Sequence, residues 1–436
     1  MPSKNRKTRR AAGSVTGASV LDIPKRHLPY GKVEVESLPT DFEKHVHIID
    51  FKDLESGDAT AKDRFILTSV PPRMPSAPEH PEGHTVCLFL SEQTKRKVLR
   101  YQGFPRSYHR SPQPLGNLET PNFVMCEAPG MGLGVFATRD LDAGDFIFGE
   151  RPLLILPIIQ ISATNFDFAP HHSEAQRDAM RMYGAEKTAE AAVARMTPAA
   201  RAAFMSLANS HIEDGSGTCI GITRTNQICV PLVEGTVGLD PNEQILRYAG
   251  IGNVVSRMNH SCIPNVGIGF DFASFSFRVC ARSPIKKGDQ LVWNYNPTET
   301  WMDTAGRRRA LEPYRFTCNC QLCTAATPES DEALKKLTWN LCFYIYHTTN
   351  SLLQQKPPQT QQEKECTDQM YRAMLDKLEW VHEQMNAVGS HGDQRLLTLM
   401  HRLYGSVGNK EKEEEFATLV TRYMAYDLIT LPDNWV

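Results

Sequence analysis

Three cysteines within six residues, Cys318, Cys320 and Cys323, place the tightest constraint on what this 436-residue chain can fold into. Three thiolates in so short a loop suit a tetrahedral zinc ion, which takes thiolate sulfur readily and needs four ligands. Three do not close a structural site, so a fourth ligand has to arrive from elsewhere and the fold must bring it there. Coincidental clustering and a redox pair are the other readings, although an oxidoreductase-type Cys-x2-Cys at a helix start is not evident from the sequence pattern. No stretch approaches the ~18 consecutive apolar residues that a bilayer span needs, and the N-terminus lacks the apolar core of a secretory signal. The chain is therefore expected inside the cell, in nucleus or cytoplasm or both. In such a reducing compartment close cysteines suggest metal before disulfides.

Lys plus Arg number 48 against 50 Asp plus Glu, a formal charge of -2. That balance gives no whole-chain case for direct nucleic-acid binding or for a membrane surface. Residues 1–80 read as a disordered or loosely structured arm that opens on Lys4, Arg6, Lys7, Arg9 and Arg10, a solvated tail or a nuclear address. Within it, the apolar runs around Ile48 and Ile66 are short and ambiguous. Residues 81–120 are expected to pack on the next domain as an extension, since Val86 to Leu90 is compact and apolar. From 121 to 297 short strands alternate with tight turns. Two of those turns share one form, Leu141 to Asp145 and Ile285 to Asp289: apolar, two polar or small residues, Gly, Asp, then a strand.

A helical insertion is expected over about 160–215, with Thr197-Pro198 as N-cap and first helical residue. After residue 330 Leu334, Leu337, Leu341 and Tyr344, then Met370, Met374, Leu378, Val381 and Met385, then Leu396, Met400 and Leu403 recur at helical spacing. Residues 331–436 thus read as an antiparallel helical domain without a fixed repeat, its first two helices joined by a polar linker over 354–365.

The second constellation is Asn259-His260-Ser261-Cys262-Ile263-Pro264-Asn265. A lone His beside an Asn would be a satisfied structural pair, but the whole string resembles the signature of the SET domain, the S-adenosylmethionine-dependent protein lysine methyltransferase fold. Other family motifs stand around it in the right order over roughly 121–325. Gly132-Leu133-Gly134 is similar to the family's first cofactor motif, where a side chain would block the approach of the backbone to the cofactor. Asn259 and His260 match its cofactor-binding pair. Leu291 to Tyr295 matches the strand ending in its catalytic tyrosine, and Phe316-Thr317-Cys318-Asn319-Cys320-x2-Cys323 matches its post-SET zinc segment at 298–330.

The resemblance implies that Cys262 is the fourth zinc ligand, that Tyr295 is catalytic and cofactor-contacting, and that Phe316 meets the adenine. The spacing from Tyr295 to Phe316 and the helical end are similar to the SMYD-like members. Thr225-Asn226 resembles the place where their Asn meets the cofactor. One departure is that residues 160–250 hold only Cys219 and Cys229, too few for the MYND finger those proteins carry. Trp293 is either a wall of the lysine channel or core packing.

The expected fold class is α+β: a strand-rich SET domain with a helical insertion, a zinc segment and a C-terminal helical domain. The implied cofactors are S-adenosyl-L-methionine and Zn2+. The implied partner is a protein presenting a lysine, histone or not, met by a monomer. A catalytically silent SET scaffold that binds partners through its C-terminal helices is the alternative.

Overall fold

The computed structural model describes residues 38–48, 66–73, 83–105, 121–158, 164–166, 168–233, 247–296, 302–355, 358–389 and 393–424. The basic cluster at residues 4–10 lies outside them. Along the chain come β1 (Val46–Ile48), β2 (Ile66–Val70), β3 (Thr85–Phe89), α1 (Glu92–Leu99), β4 (Phe123–Ala128), β5 (Gly132–Ala137), β6 (Phe146–Glu150), β7 (Leu154–Pro157) and β8 (Thr164–Phe166). Helices α2 (Glu174–Ala194), α3 (Pro198–Met205) and α4 (Thr218–Asn226) follow, then strands β9 (Ile228–Val233), β10 (Arg247–Ile251), β11 (Asn259–His260), β12 (Val266–Asp271), β13 (Ser276–Ala281) and β14 (Val292–Trp293). The rest is helical: α5 (Thr304–Leu311), the one-turn α6 (Gln321–Thr324), α7 (Pro328–Gln354), α8 (Gln361–Ala387), α9 (Gln394–Ser406) and α10 (Lys410–Met424). The molecule is α+β.

Its largest sheet runs β2-β3-β7-β10-β9. Strand β3 is buried at all five positions, which explains why Val86 to Leu90 reads as a continuous apolar run rather than an alternating one. Successive side chains leave opposite faces of a strand. Cys87 and Phe89 accordingly enter the core shared with β5, β12 and β13, while Val86 and Leu88 enter a second core against Ala189, Ala192 and Val193 of α2. The expectation of a loose arm as far as residue 80 gives way here. Ile66–Val70 pairs antiparallel with β3, and Leu67 and Val70 are buried. A five-residue strand running straight into Pro71 and Pro72 gives little local signal; its pairing with the next strand orders it.

The helical insertion lies over residues 174–226, later than the expected 160–215. Helix α2 starts at a capping box in which Ser173 Oγ accepts from Gln176 N while Gln176 answers the Ser173 backbone, satisfying two orphan donors. Thr197 caps α3 with Pro198 in the first turn. The two similar turns meet: Leu141 N donates to Ile285 O at 2.8 Å and Ile285 N to Leu141 O at 2.9 Å. Each turn needs Gly at a positive φ, 101° at Gly144 and 90° at Gly288, where a Cβ is disfavoured.

In the C-terminal helices Leu337, Leu341, Leu378, Val381, Leu396, Met400 and Leu403 form one core, and Cys280 of β13 belongs to it with Phe146 of β6 packed alongside. The helical domain therefore rests on the three-stranded sheet β12-β13-β6.

Candidate active site and cysteine centre

Strands β11 and β14 run parallel, with Asn259 opposite Val292 and His260 opposite Trp293. Asn265, the last residue of the motif, holds this pairing open-ended: its Nδ2 donates to Gln290 O and its Oδ1 accepts from Val292 N, both at 2.8 Å. A side-chain amide here does the work of one more ladder residue. On the other flank Leu291 N donates to Val135 O at 2.7 Å. The segment carrying Tyr295 is thus threaded between β5 and the Asn-His strand.

Asn259 Nδ2 donates to Leu133 O at 3.2 Å, tying the motif to the glycine hairpin. His260 Nδ1 accepts from Tyr295 N at 3.1 Å, which leaves the ring proton on Nε2, facing Cys262 Sγ at 3.4 Å. Burial pulls this imidazole down to about 4, so it is neutral at physiological pH. Tyr295 donates its hydroxyl proton to Met258 O at 2.9 Å, and burial pushes the phenol well above its ordinary range. Around it stand the rings of Tyr314, His260, Trp293 and Phe316, with centroids 4.9, 5.2, 5.3 and 6.3 Å away.

The two glycines have different reasons. Gly132 has a φ of 72° and nothing within 4 Å of where a Cβ would point, so it leaves open space beside Leu133. At Gly134 the same position falls on Gln290 Nε2 and within 3.1 Å of Phe136 and Ala128. Close protein packing is what requires glycine there. Leu133 and Phe316 are exposed apolar side chains on either side of Asn259 and His260, a rim suited to an amphipathic cofactor. Asn226 lies at the end of α4, where its Nδ2 donates to Ala208 O at 2.6 Å and Ile222 O at 2.8 Å.

Cys262, Cys318, Cys320 and Cys323 bring their sulfurs within 4.8 Å of one another. Cys262 Sγ stands 3.9 Å from Cys318 Sγ and 3.6 Å from Cys323 Sγ. A tetrahedron with zinc–sulfur bonds of about 2.3 Å has sulfur–sulfur edges of about 3.8 Å, so the donor set fits that ion. Hydrogen bonding among the thiols, above all with Cys318, and burial together hold the Cys262 proton on. A second polar cluster reads differently. His172 Nδ1 accepts from Ala169 N at 3.2 Å, so Nε2 carries the proton toward Asp41 Oδ1 at 3.2 Å, and the pair latches the segment before β1 to the start of α2.

Sequence reasoning did not anticipate Glu150, whose carboxylate accepts from Val254 N at 2.9 Å and Val255 N at 2.8 Å, shaping the turn before Asn259. Burial pushes that carboxyl up to about 7 against those hydrogen bonds. Nor did it anticipate Tyr314 beside Tyr295 or the Met258 carbonyl.

Residues 132–296 match the family described as SET domain. Mouse (Mus musculus) protein-lysine N-methyltransferase SMYD4 is 31% identical over 135 residues, 31% of this chain and 16% of that protein. Histone-lysine N-methyltransferase set5 of Schizosaccharomyces pombe is 24% identical over 206 residues, 47% of this chain and 51% of its relative. The solved structure of the Neurospora SET domain protein DIM-5, a histone lysine methyltransferase, covers 39% of this chain and 50% of its own at 16% identity, with a TM-score of 0.21. The chain thus spans a minor part of the SMYD4 protein and about half of set5.

Proposed function

Because the chain carries a SET domain, we propose that it transfers a methyl group from S-adenosylmethionine to the side-chain amine of a protein lysine. The observation that carries this reading is the single hydrogen-bonded thread joining Leu133, Asn259, His260 and Tyr295. The relatives' names as lysine methyltransferases support it.

When bound, S-adenosylmethionine supplies a methyl group on a sulfonium that is already a good leaving group. The protein's task is then alignment and removal of water. Gly132, Leu133, Asn259, His260 and Phe316 are the residues that would hold the cofactor. The rings of Trp293, Tyr314 and Phe316 crowd Tyr295 and would exclude water from an incoming lysine, lowering its pKa by desolvation. Tyr295 keeps its proton, committed to Met258 O. Its oxygen therefore offers lone pairs that orient the amine, and it is no general base at neutral pH. The four cysteines would hold zinc as a structural ion, fixing Phe316 through the loop that follows it.

An exposed aromatic stripe on α7, with Trp339 and Phe343 stacked at 4.8 Å and Tyr346 beyond them, favours the scaffold as a second reading. Incubating the chain with methyl-labelled cofactor and a fractionated protein extract decides between them. Labelled protein is expected from the wild type. Tyr295→Phe should cut transfer about 100-fold with cofactor binding largely kept. Cofactor bound but never turned over by the wild type favours the scaffold; wild-type rates in Tyr295→Phe remove Tyr295 from its role.

A further inference from the structure

Arg307 of α5 is one of the largest side chains wholly withdrawn from water, 2% exposed. Its Nη1 donates to Met302 O, its Nη2 to Thr304 Oγ1 at 2.8 Å and, at 3.3 Å, to the carbonyl oxygen of Leu322, the residue before Cys323. Nε is buried without a partner. Among the described residues the nearest carboxylate is Asp331 at 3.6 Å, already accepting from Thr304 N at 3.0 Å and Thr304 Oγ1 at 3.1 Å. One distant, shared carboxylate is a poor counter-charge for a buried guanidinium, whose desolvation costs several kcal/mol in general. A second negative group would complete the balance, and Leu322, whose carbonyl Arg307 reaches, belongs to the cysteine loop. Zinc held by four thiolates carries a net charge of about -2.

We propose that Arg307 is the counter-cation of a metal-loaded Cys262, Cys318, Cys320 and Cys323 centre, and that through Asp331 it makes the seating of α7, and with it the C-terminal helical domain, depend on the metal. Asp331 lies in the first turn of α7, and the Arg307 fork spans α5, the cysteine loop and that turn. Zinc would thus organise the joint between two domains as well as its own loop. The proposal rests on the zinc reading of the four cysteines.

The test uses the full chain loaded with zinc. Chelator competition should show Arg307→Gln releasing zinc with about 10- to 100-fold lower affinity, the scale of lost outer-shell partners, and Arg307→Lys, which keeps the charge, falling between. Hydrogen exchange over residues 328–338 should rise in the wild type when zinc is stripped, and should already be raised in zinc-loaded Asp331→Asn, which retains its metal. Wild-type zinc affinity in folded Arg307→Gln, or protection of 328–338 that ignores stripping, overturns the proposal while the zinc site stands. A wild-type chain that takes up neither zinc nor cobalt removes the zinc reading and the proposal together.

Discussion

Asp214 Oδ2 accepts from His211 Nδ1 at 2.6 Å and from Arg224 Nη1 at 2.8 Å, all within the helical insertion. Burial alone would raise this carboxyl, yet the His211 hydrogen bond and the Arg224 charge outweigh it and hold the group below its usual range. The unfolded Asp protonates near 3.9 while the folded one stays ionised lower, so the unfolded state binds more protons in acid; the contribution starts to shrink as pH falls below about 4 and is gone only below the folded group's own, lower pKa. Asp214→Asn strands the Arg224 guanidinium, 1% exposed, and is expected to cost about 3 kcal/mol at pH 7. Urea titrations at pH 7 and near pH 3 should show the gap to wild type narrowing in acid; a gap independent of pH would refute the assignment. At this scale residue types in order were legible, as with Asn259, His260 and Tyr295. Their atomic partners were not, because the Leu133 and Met258 carbonyls belong to the backbone and any residue supplies one. Nor was Arg307 singled out within the run Arg307-Arg308-Arg309, because both Arg307 and Arg308 lie at helical spacing from Leu311 and periodicity does not separate them.

Among the elements, the C-terminal helices followed their apolar spacing closely, since Leu334, Leu337 and Leu341 line the buried face of α7. The polar stretch read as a linker over 354–365 is shorter than its composition suggested. Helix α8 begins at Gln361 under a capping box formed by Thr360 and Glu363. Polarity there marks an exposed helical face, and the Thr-x-x-Glu spacing was the sign of it. Strands fared less well, because β2 and the two-residue β11 are defined by their pairing partners rather than by local pattern. Leu403 of α9 is fully buried among Leu378, Val381 and Met400. Leu403→Ala should therefore lose about 2–5 kcal/mol, read by denaturant unfolding followed through helical circular dichroism. A loss well below 1 kcal/mol would mean that the four helices share no common core.

Across the whole molecule the site depends on joining distant segments, whereas the C-terminal helices are built largely from local turns. Local contacts form faster than non-local ones. On dilution from denaturant, helical circular dichroism should recover before Trp293 fluorescence and cofactor binding do. Simultaneous recovery of all three would count against this order. The threading of the Tyr295 segment against β5 also bears on synthesis. Val135 accepts its hydrogen bond from Leu291, so the hairpin leaves the ribosome long before the strand that covers it. At roughly 5–20 residues per second that interval is on the order of ten seconds. Through it the side of β5 that Leu291 covers in the folded protein stays uncovered, the kind of transiently exposed apolar surface and unpaired strand edge that favours aggregation.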